Sequence, residues 1–219
     1  MRKFIIFGVS DFLSDIFDLI HAHNGTVVKI FQNIETPSKE RSLPIEKRIE
    51  LLGYNVELHK ELDAFQPEEG YEYVLGCTTV EKYRLVEELK KKHGITFSAL
   101  IHPKAHLGSG VYVGEGVVVS PGVVVAPGAH LDDFCVINRM VSIGHNVRIG
   151  QHSRIGPSSA IAGSTRIGER CSIGMSVSII DHVYIGDDTV IGAGALVTKD
   201  LPENVIAYGA PAKVKRNNE

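Results

Sequence analysis

Apolar residues recur along this chain at an interval that suits neither an α-helix nor a flat sheet. From Leu107 onward every sixth residue is aliphatic: Leu107, Val113, Val119, Val125, Leu131, Ile137, Ile143, Ile149, Ile155, Ile161, Ile167, Ile173, Ile179, Ile185, Ile191 and Val197. The residue after each is very often glycine, as at Gly108, Gly114, Gly144, Gly150 and Gly156, and the fourth after is small or Val, as at Val117, Ala129, Cys135 and Val147. An amphipathic helix would repeat at about 3.6 residues and carry Ala, Leu, Glu and Lys, whereas this stretch is rich in Gly, Val and Ile. Self-similarity at a fixed period marks a parallel β-helix, in which a turn buries its apolar face only by stacking on its neighbours. Three hexads make one triangular coil, so the run stacks about five coils, each rising roughly 4.8 Å. Ile101 falls in the same frame, which places the start of the β-helix within Phe97 to His106.

The first 98 residues have a different rhythm. Lys3 to Phe7 is a short apolar run ending at Gly8, and Phe12, Leu13, Ile16, Phe17 and Ile20 then recur on one helical face. Thr26 to Phe31 and Tyr73 to Leu75 predict further strands, and Val80 to His93 a helix with Tyr83, Val86 and Leu89 inward. Alternating strand and helix implies a small parallel α/β sheet of Rossmann-like type. The division is therefore 1–98 for an α/β head and 99–219 for a β-helix with a C-terminal tail. Glu35 to Lys47, charged and holding Pro37 and Pro44, predicts an exposed loop. The turn Gly8-Val9-Ser10-Asp11-Phe12 has one glycine, and Ser10 or Asp11 is expected to cap the following helix.

A net charge of −3 offers no basic field for nucleic acid. The odd count of three cysteines, without close pairs, fits a reducing cytoplasm, with Cys135 and Cys171 as buried fillers of their hexads. Asp11, Asp15 and Asp18 interrupt the apolar opening, so no export signal is expected there, and no segment has the length of a membrane span.

Outward residues of the coil sort into three faces. One carries Tyr112, His130, Arg148, Arg166 and Tyr184 and is expected to be wet. The second carries Val118, Val136, Arg154, Ser172 and Val190, and the third Val124, Ser142, Ala160, Ser178 and Leu196. Two mild faces predict burial against other subunits, as in three prisms around an axis. Arg154 then either meets a ligand at a subunit boundary or stays on an uncovered edge. His145, His152 and His182 share no column of the coil and lack close acidic support, so no metal is expected.

His145 sits in the corner Gly144-His145-Asn146. The run from Ile137 to Gly150 around it, Pro157 to Gly163 downstream, and Gly209-Ala210-Pro211-Ala212-Lys213 resemble blocks of a family of bacterial surface-glycan enzymes. These are the sialic-acid O-acetyltransferases and nucleotide-amino-sugar N-acetyltransferases, which are left-handed β-helix, hexapeptide-repeat acyltransferases. The likeness extends over nearly the whole chain, since a Rossmann-like head precedes the β-helix in that family too.

The resemblance implies a homotrimeric cytoplasmic transferase that uses acetyl-CoA to acylate an amine, or a hydroxyl, on a nucleotide-activated sugar. In it His145 is the general base, with Asn146 where the family commonly has an acid. An imidazole, whose pKa lies near about 6.5, suits proton transfer at neutral pH. By the same likeness Arg154, often a histidine in the family, lies near the acetyl group; the amide of Gly163 faces the thioester oxygen; and Met175 and Ala193 line the pantetheine arm. Gly8, Ser10, Gln32, Asn33 and Gly76 match positions that contact the nucleotide sugar, with Phe12 in place of the usual histidine. The alternative is a non-catalytic nucleotide-sugar-binding or assembly subunit on the same scaffold, which Asn146 favours.

Overall fold

The computed structural model describes residues 1–35, 43–53, 55–63, 65–78 and 82–218, with backbone alone at 33–35 and 52. It divides into two compact units, Met1–Ser98 and Ala99–Glu219.

In the first unit β1 (Arg2–Val9), α1 (Leu13–Ala22), β2 (Gly25–Glu35), α2 (Ile45–Leu52), β3 (Glu57–His59), β4 (Tyr71–Leu75) and α3 (Lys82–His93) follow in chain order. The four strands pair in parallel in the order β3-β2-β1-β4. Phe4, Ile5, Ile6 and Phe7 are all buried in β1, as expected of an inner parallel strand covered on both faces. The apolar face of α1 supplies Leu13, Ile16, Phe17, Leu19 and Ile20 to the same core.

Three local expectations change. Residues 45–47 open a helix instead of closing a loop, while 36–42 and Val80 lie outside the described residues. Pro44, read as a loop marker, stands at the entry of α2 with φ −53°. Proline there sacrifices no hydrogen bond, because the first N–H groups of a helix have no partner inside it. Ile45 and Ile49, one turn apart, then bury the helix's inner face. The cap position of α1 is Phe12, with no side-chain cap, so neither Ser10 nor Asp11 fills that role. The Ser10 hydroxyl instead accepts the Phe12 N–H at 3.2 Å and donates to Gly76 O at 3.1 Å.

In the second unit two-residue strands recur every six residues from β5 (Leu100–Ile101) and β6 (His106–Leu107) to β21 (Leu196–Val197). Each pairs in parallel with its counterpart one coil on, as His130 with Arg148 and Val136 with Arg154. Three sheets of five, eight and six strands form the walls of a left-handed β-helix. The aliphatic anchors fill the interior, from Val119 and Leu131 to Ile191 and Val197. Small residues two before each outgoing anchor complete it, several of them hydroxylic. Ser153 Oγ donates to Gly168 O at 2.7 Å and accepts the Cys171 N–H at 2.8 Å. Ser159 does the same with Gly174 O and the Val177 N–H, and Thr165 donates to Ile180 O. Cys135 and Cys171 occupy this position too, their thiols 3.1 Å from Gly150 O and Gly186 O.

The corners depend on left-handed backbone. Every sixth residue from Phe134 to Asp188 has φ between 54° and 60°. The N–H of each such residue reaches one coil back, as Asn146 to Pro127 O, Ser164 to His145 O and His182 to Gly163 O. After the last coil β22 (Val205–Tyr208) adds in parallel, and β23 (Lys213–Asn217) returns antiparallel along it. Lys213, Lys215 and Arg216 thus belong to an exposed strand rather than a loose tail.

The outward faces are not all what the sequence implied. Tyr112, Arg148, Arg166 and Tyr184 are exposed, and Tyr112 stacks on His130 at 4.1 Å. On the second face Val118 and Val136 are already buried within the single chain, so they need no other subunit to cover them. On the third face Val124 is 48% exposed and Leu196 37%.

Candidate active site

His145 stands on the edge where the six-stranded sheet, through Ser142–Ile143, turns into the five-stranded sheet at Arg148–Ile149. The corner is held at both ends: the Asn146 N–H donates to Pro127 O at 3.2 Å, and His145 O accepts the Ser164 N–H at 2.8 Å. Its imidazole lies over the next coil. A methyl group on Gly163 would stand 2.6 Å from His145 Nε2 and 2.7 Å from Cε1, so only a bare Cα leaves room for the ring. Gly144 allows the same closeness between backbones, since a Cβ there would stand 2.6 Å from Gly163 N. The Gly163 N–H has no acceptor among the described residues. The Nε2 edge of the ring and an unused amide donor therefore sit side by side on one edge of the coil.

Asn146 reaches the other ring nitrogen, with Nδ2 3.2 Å from His145 Nδ1. An amide nitrogen there donates to Nδ1 and selects the tautomer with its proton on Nε2. Base action at Nε2 needs the opposite tautomer, which requires Asn146 to turn its carbonyl oxygen to Nδ1. A carboxylate would hold that tautomer outright; the amide holds either.

The other β-helix positions lie elsewhere on the single chain. Met175 and Ala193 stack one coil apart on a different edge, between the eight- and six-stranded sheets, and both are exposed. Arg154 projects from the eight-stranded sheet, exposed, and donates to Ser172 Oγ at 3.3 Å. The face carrying Ser142, Ala160 and Ser178 separates the His145 edge from the Met175 edge. The chain thus brings His145, Asn146 and Gly163 together, and Met175 with Ala193, but does not join the two sets.

In the head, Gly8, Ser10 and Gly76 meet at the carboxyl ends of β1 and β4. The Gly76 N–H donates to Phe7 O at 2.9 Å, and a Cβ on Gly76 would collide with Gly8 O. Gln32 is buried near the end of the neighbouring strand β2, and Asn33 follows it with a side chain outside the described residues. Here the strand order turns back, since the chain runs β1, β2, β3 outward and then places β4 on the other side of β1. Ligands of open α/β sheets bind at such a switch point.

Residues 164–199 match the model of the bacterial transferase hexapeptide family (six repeats). The chain is similar over 98% of its length, at 28% identity and a TM-score of 0.83, to a mutant of perosamine N-acetyltransferase from Caulobacter crescentus solved with CoA and GDP-perosamine, of which 97% is covered. It has the fold of the acetyltransferase domain of PglB from Neisseria gonorrhoeae FA1090, at 24% identity and a TM-score of 0.82, with 98% of this chain and 100% of that one covered. This is the hexapeptide-repeat acetyltransferase fold. A stretch of 28 residues is 68% identical to galactoside O-acetyltransferase of Lactococcus lactis subsp. lactis (strain IL1403); it is 13% of this chain and 14% of that protein's length.

Within the hexapeptide-repeat fold, the described residues hold no cluster of three metal-ligating side chains and no helix long and apolar enough to cross a membrane. A polar cleft of about 270 Å³ lined by Tyr112, Asp132, Asp133, Arg148, Gln151 and Glu169 lies along a third edge, away from His145. Its acids are engaged: Asp133 accepts the Glu115 N–H, and Asp132 pairs with His130 and Arg148. Sequence reasoning missed Arg48, which reaches from α2 to the Gly8–Phe12 turn. The signal was present in the helical spacing of Ile45 and Ile49 after Pro44, but a pairing between positions 11 and 48 leaves no local trace.

Proposed function

We propose that this protein is a homotrimeric, cytoplasmic acetyltransferase that moves the acetyl group of acetyl-CoA onto an amine, or less readily a hydroxyl, of a nucleotide-activated sugar. The observation that carries the proposal is the His145 ring laid against Gly163, with its Nε2 beside an uncommitted N–H. Donor and acceptor class are supported by the likeness to the perosamine N-acetyltransferase complex with CoA and GDP-perosamine. The cytoplasmic assignment draws on three buried cysteines, none in a disulfide.

His145 Nε2 accepts the proton as the acceptor nitrogen attacks the thioester carbonyl carbon. The Gly163 N–H donates to the oxyanion of the tetrahedral adduct. Collapse breaks the carbon–sulfur bond, and the imidazolium returns its proton to the departing thiolate, giving N-acetyl sugar and free CoA. Because His145 and Met175 lie on separate edges, the pantetheine arm that reaches His145 of one copy runs along Met175 and Ala193 of another. The exposed, small-residue face of Ser142, Ala160 and Ser178 suits the packing of prism on prism that this requires.

Thiol release from acetyl-CoA with a panel of UDP- and GDP-amino sugars tests the proposal. Release that depends on one of these acceptors, and is lost in His145→Ala at unchanged assembly mass, is expected. A monomeric mass, or unchanged turnover in His145→Ala, overturns the mechanism. The Asn146 amide nitrogen beside Nδ1 favours the second reading, a binding or assembly subunit, which predicts nucleotide-sugar binding without any thiol release.

A further inference from the structure

The head carries a buried cation where the sequence shows only an acid. Arg48, on α2, has a side chain 9% exposed. Its Nε donates to Leu43 O at 2.8 Å, one terminal nitrogen to Ser10 O at 2.8 Å, and the other to Asp11 Oδ1 at 2.7 Å. The two carbonyls orient the guanidinium without neutralising it, and the Asp11 carboxylate, 68% exposed, supplies the opposite charge. Ser10 is thereby held on both sides: its carbonyl by Arg48 and the Leu13 N–H, its hydroxyl by Gly76 O and the Phe12 N–H. This is the turn at the strand-order switch, where an α/β sheet takes its ligand.

We propose that Arg48 is a positioning residue for the nucleotide diphosphate: it locks the Gly8–Phe12 turn and cancels the Asp11 charge that would otherwise repel the phosphates. The inference rests on the reading of the head as the nucleotide-sugar site. An acid just ahead of a helix works against anion binding by the helix amides. Paired with a fixed arginine it ceases to do so, and a fork held by two carbonyls keeps its cation in place when the exposed carboxylate swings aside.

The test is a double-mutant cycle of Arg48→Gln, Asp11→Asn and the pair, with calorimetric titration of UDP and GDP and the Michaelis constants for acetyl-CoA and the nucleotide amino sugar. Arg48→Gln is expected to weaken nucleotide binding and raise the amino-sugar KM by roughly tenfold, leaving the acetyl-CoA KM unchanged. Asp11→Asn is expected to bind at least as tightly as the parent, and the double variant to regain most of the loss. A purely architectural arginine gives no such recovery, so a double variant as weak as Arg48→Gln overturns the proposal, as does unchanged binding in Arg48→Gln. Should Arg48→Gln not fold, Arg48→Lys keeps the charge without the fork. Weakened nucleotide binding at an unchanged acetyl-CoA KM supports the positioning role, and parent-like binding refutes it. A parent protein that binds neither UDP nor GDP and turns over no nucleotide amino sugar refutes the nucleotide reading of the head itself, a different failure from a parent that binds and an Arg48→Gln that binds equally well.

Discussion

Adding one methyl group at Gly163 separates catalysis from folding more cleanly than removing the proposed base, His145. The Cβ of Gly163→Ala would stand 2.6 Å from His145 Nε2, 2.7 Å from Cε1 and 3.1 Å from Cδ2, all atoms of one exposed side chain. Ordinary contact needs about 3.5 Å, so the ring must retreat by roughly 1 Å. It can do so toward solvent at little cost, and the Gly163 backbone has no left-handed φ that alanine would strain. A displacement of that size in a reacting group costs about 100-fold in rate, near 2.7 kcal/mol in the barrier. Stability should hold, with a Tm change of no more than about 2–4 °C. Gly156→Ala is the contrast: its Cβ would meet the backbone of Gly174 at 2.6 Å and Met175 N at 2.7 Å, so the coil itself must give and Tm should fall. The assay is thiol release at saturating acetyl-CoA beside a thermal melt of each variant. A Gly163→Ala protein with parental kcat would refute the claim that His145 acts from its place against this backbone.

Asn146→Asp should fix the Nδ1–H tautomer and raise kcat/KM on the alkaline plateau by about tenfold. The new carboxylate also favours imidazolium, so the acid limb of the pH–rate profile should move to higher pH; a limb that stays put would deny contact between the two side chains. Ser153→Ala strands Gly168 O and the Cys171 N–H in the interior and should cost about 1–3 kcal/mol in a urea titration, against no change if the hydroxyl ladder is idle. Burial pushes the Cys171 thiol up to about 11. Its folded pKa exceeds the unfolded value, so the contribution is complete below the unfolded pKa and is lost as pH rises through the folded one. The parent should therefore shed on the order of 2–3 kcal/mol between about pH 9 and 11. Cys171→Ala should show a shallower decline over that window, since Ala129 and Ala195 already fill equivalent positions. An equal decline would contradict the assignment.

The β-helix was legible because each coil repeats the same physical demand. One aliphatic anchor per six residues fills the interior, and the eighteen-residue coil follows from three such steps, so His145 beside Gly163 is nearly arithmetic. What the repeat hid was chemistry that does not alter hydropathy: the hydroxyls of Ser153, Ser159 and Thr165 turned inward onto carbonyls, and the left-handed corners borne by residues as unlike as Phe134 and Asp188. Outward valines also misled, since side chains pointing away from one sheet can still be covered within the chain, as Val118 and Val136 are. In the head, strands were recognisable but short-changed at their ends, and α2 disappeared behind Pro44. The clamp from Arg48 to Ser10 and Asp11 joins residues far apart in sequence, and only coordinates reveal it.

A rapid-mixing experiment addresses the corner histidine most directly: enzyme, acetyl-CoA and a nucleotide amino sugar are quenched through a single turnover and the acetylated sugar is counted, for the parent and for His145→Ala. Stoichiometric acetyl sugar is expected from the parent, and at least about 100-fold slower formation in a variant of unchanged melting temperature and assembly mass. Equal rates in the two proteins would remove His145 from the reaction.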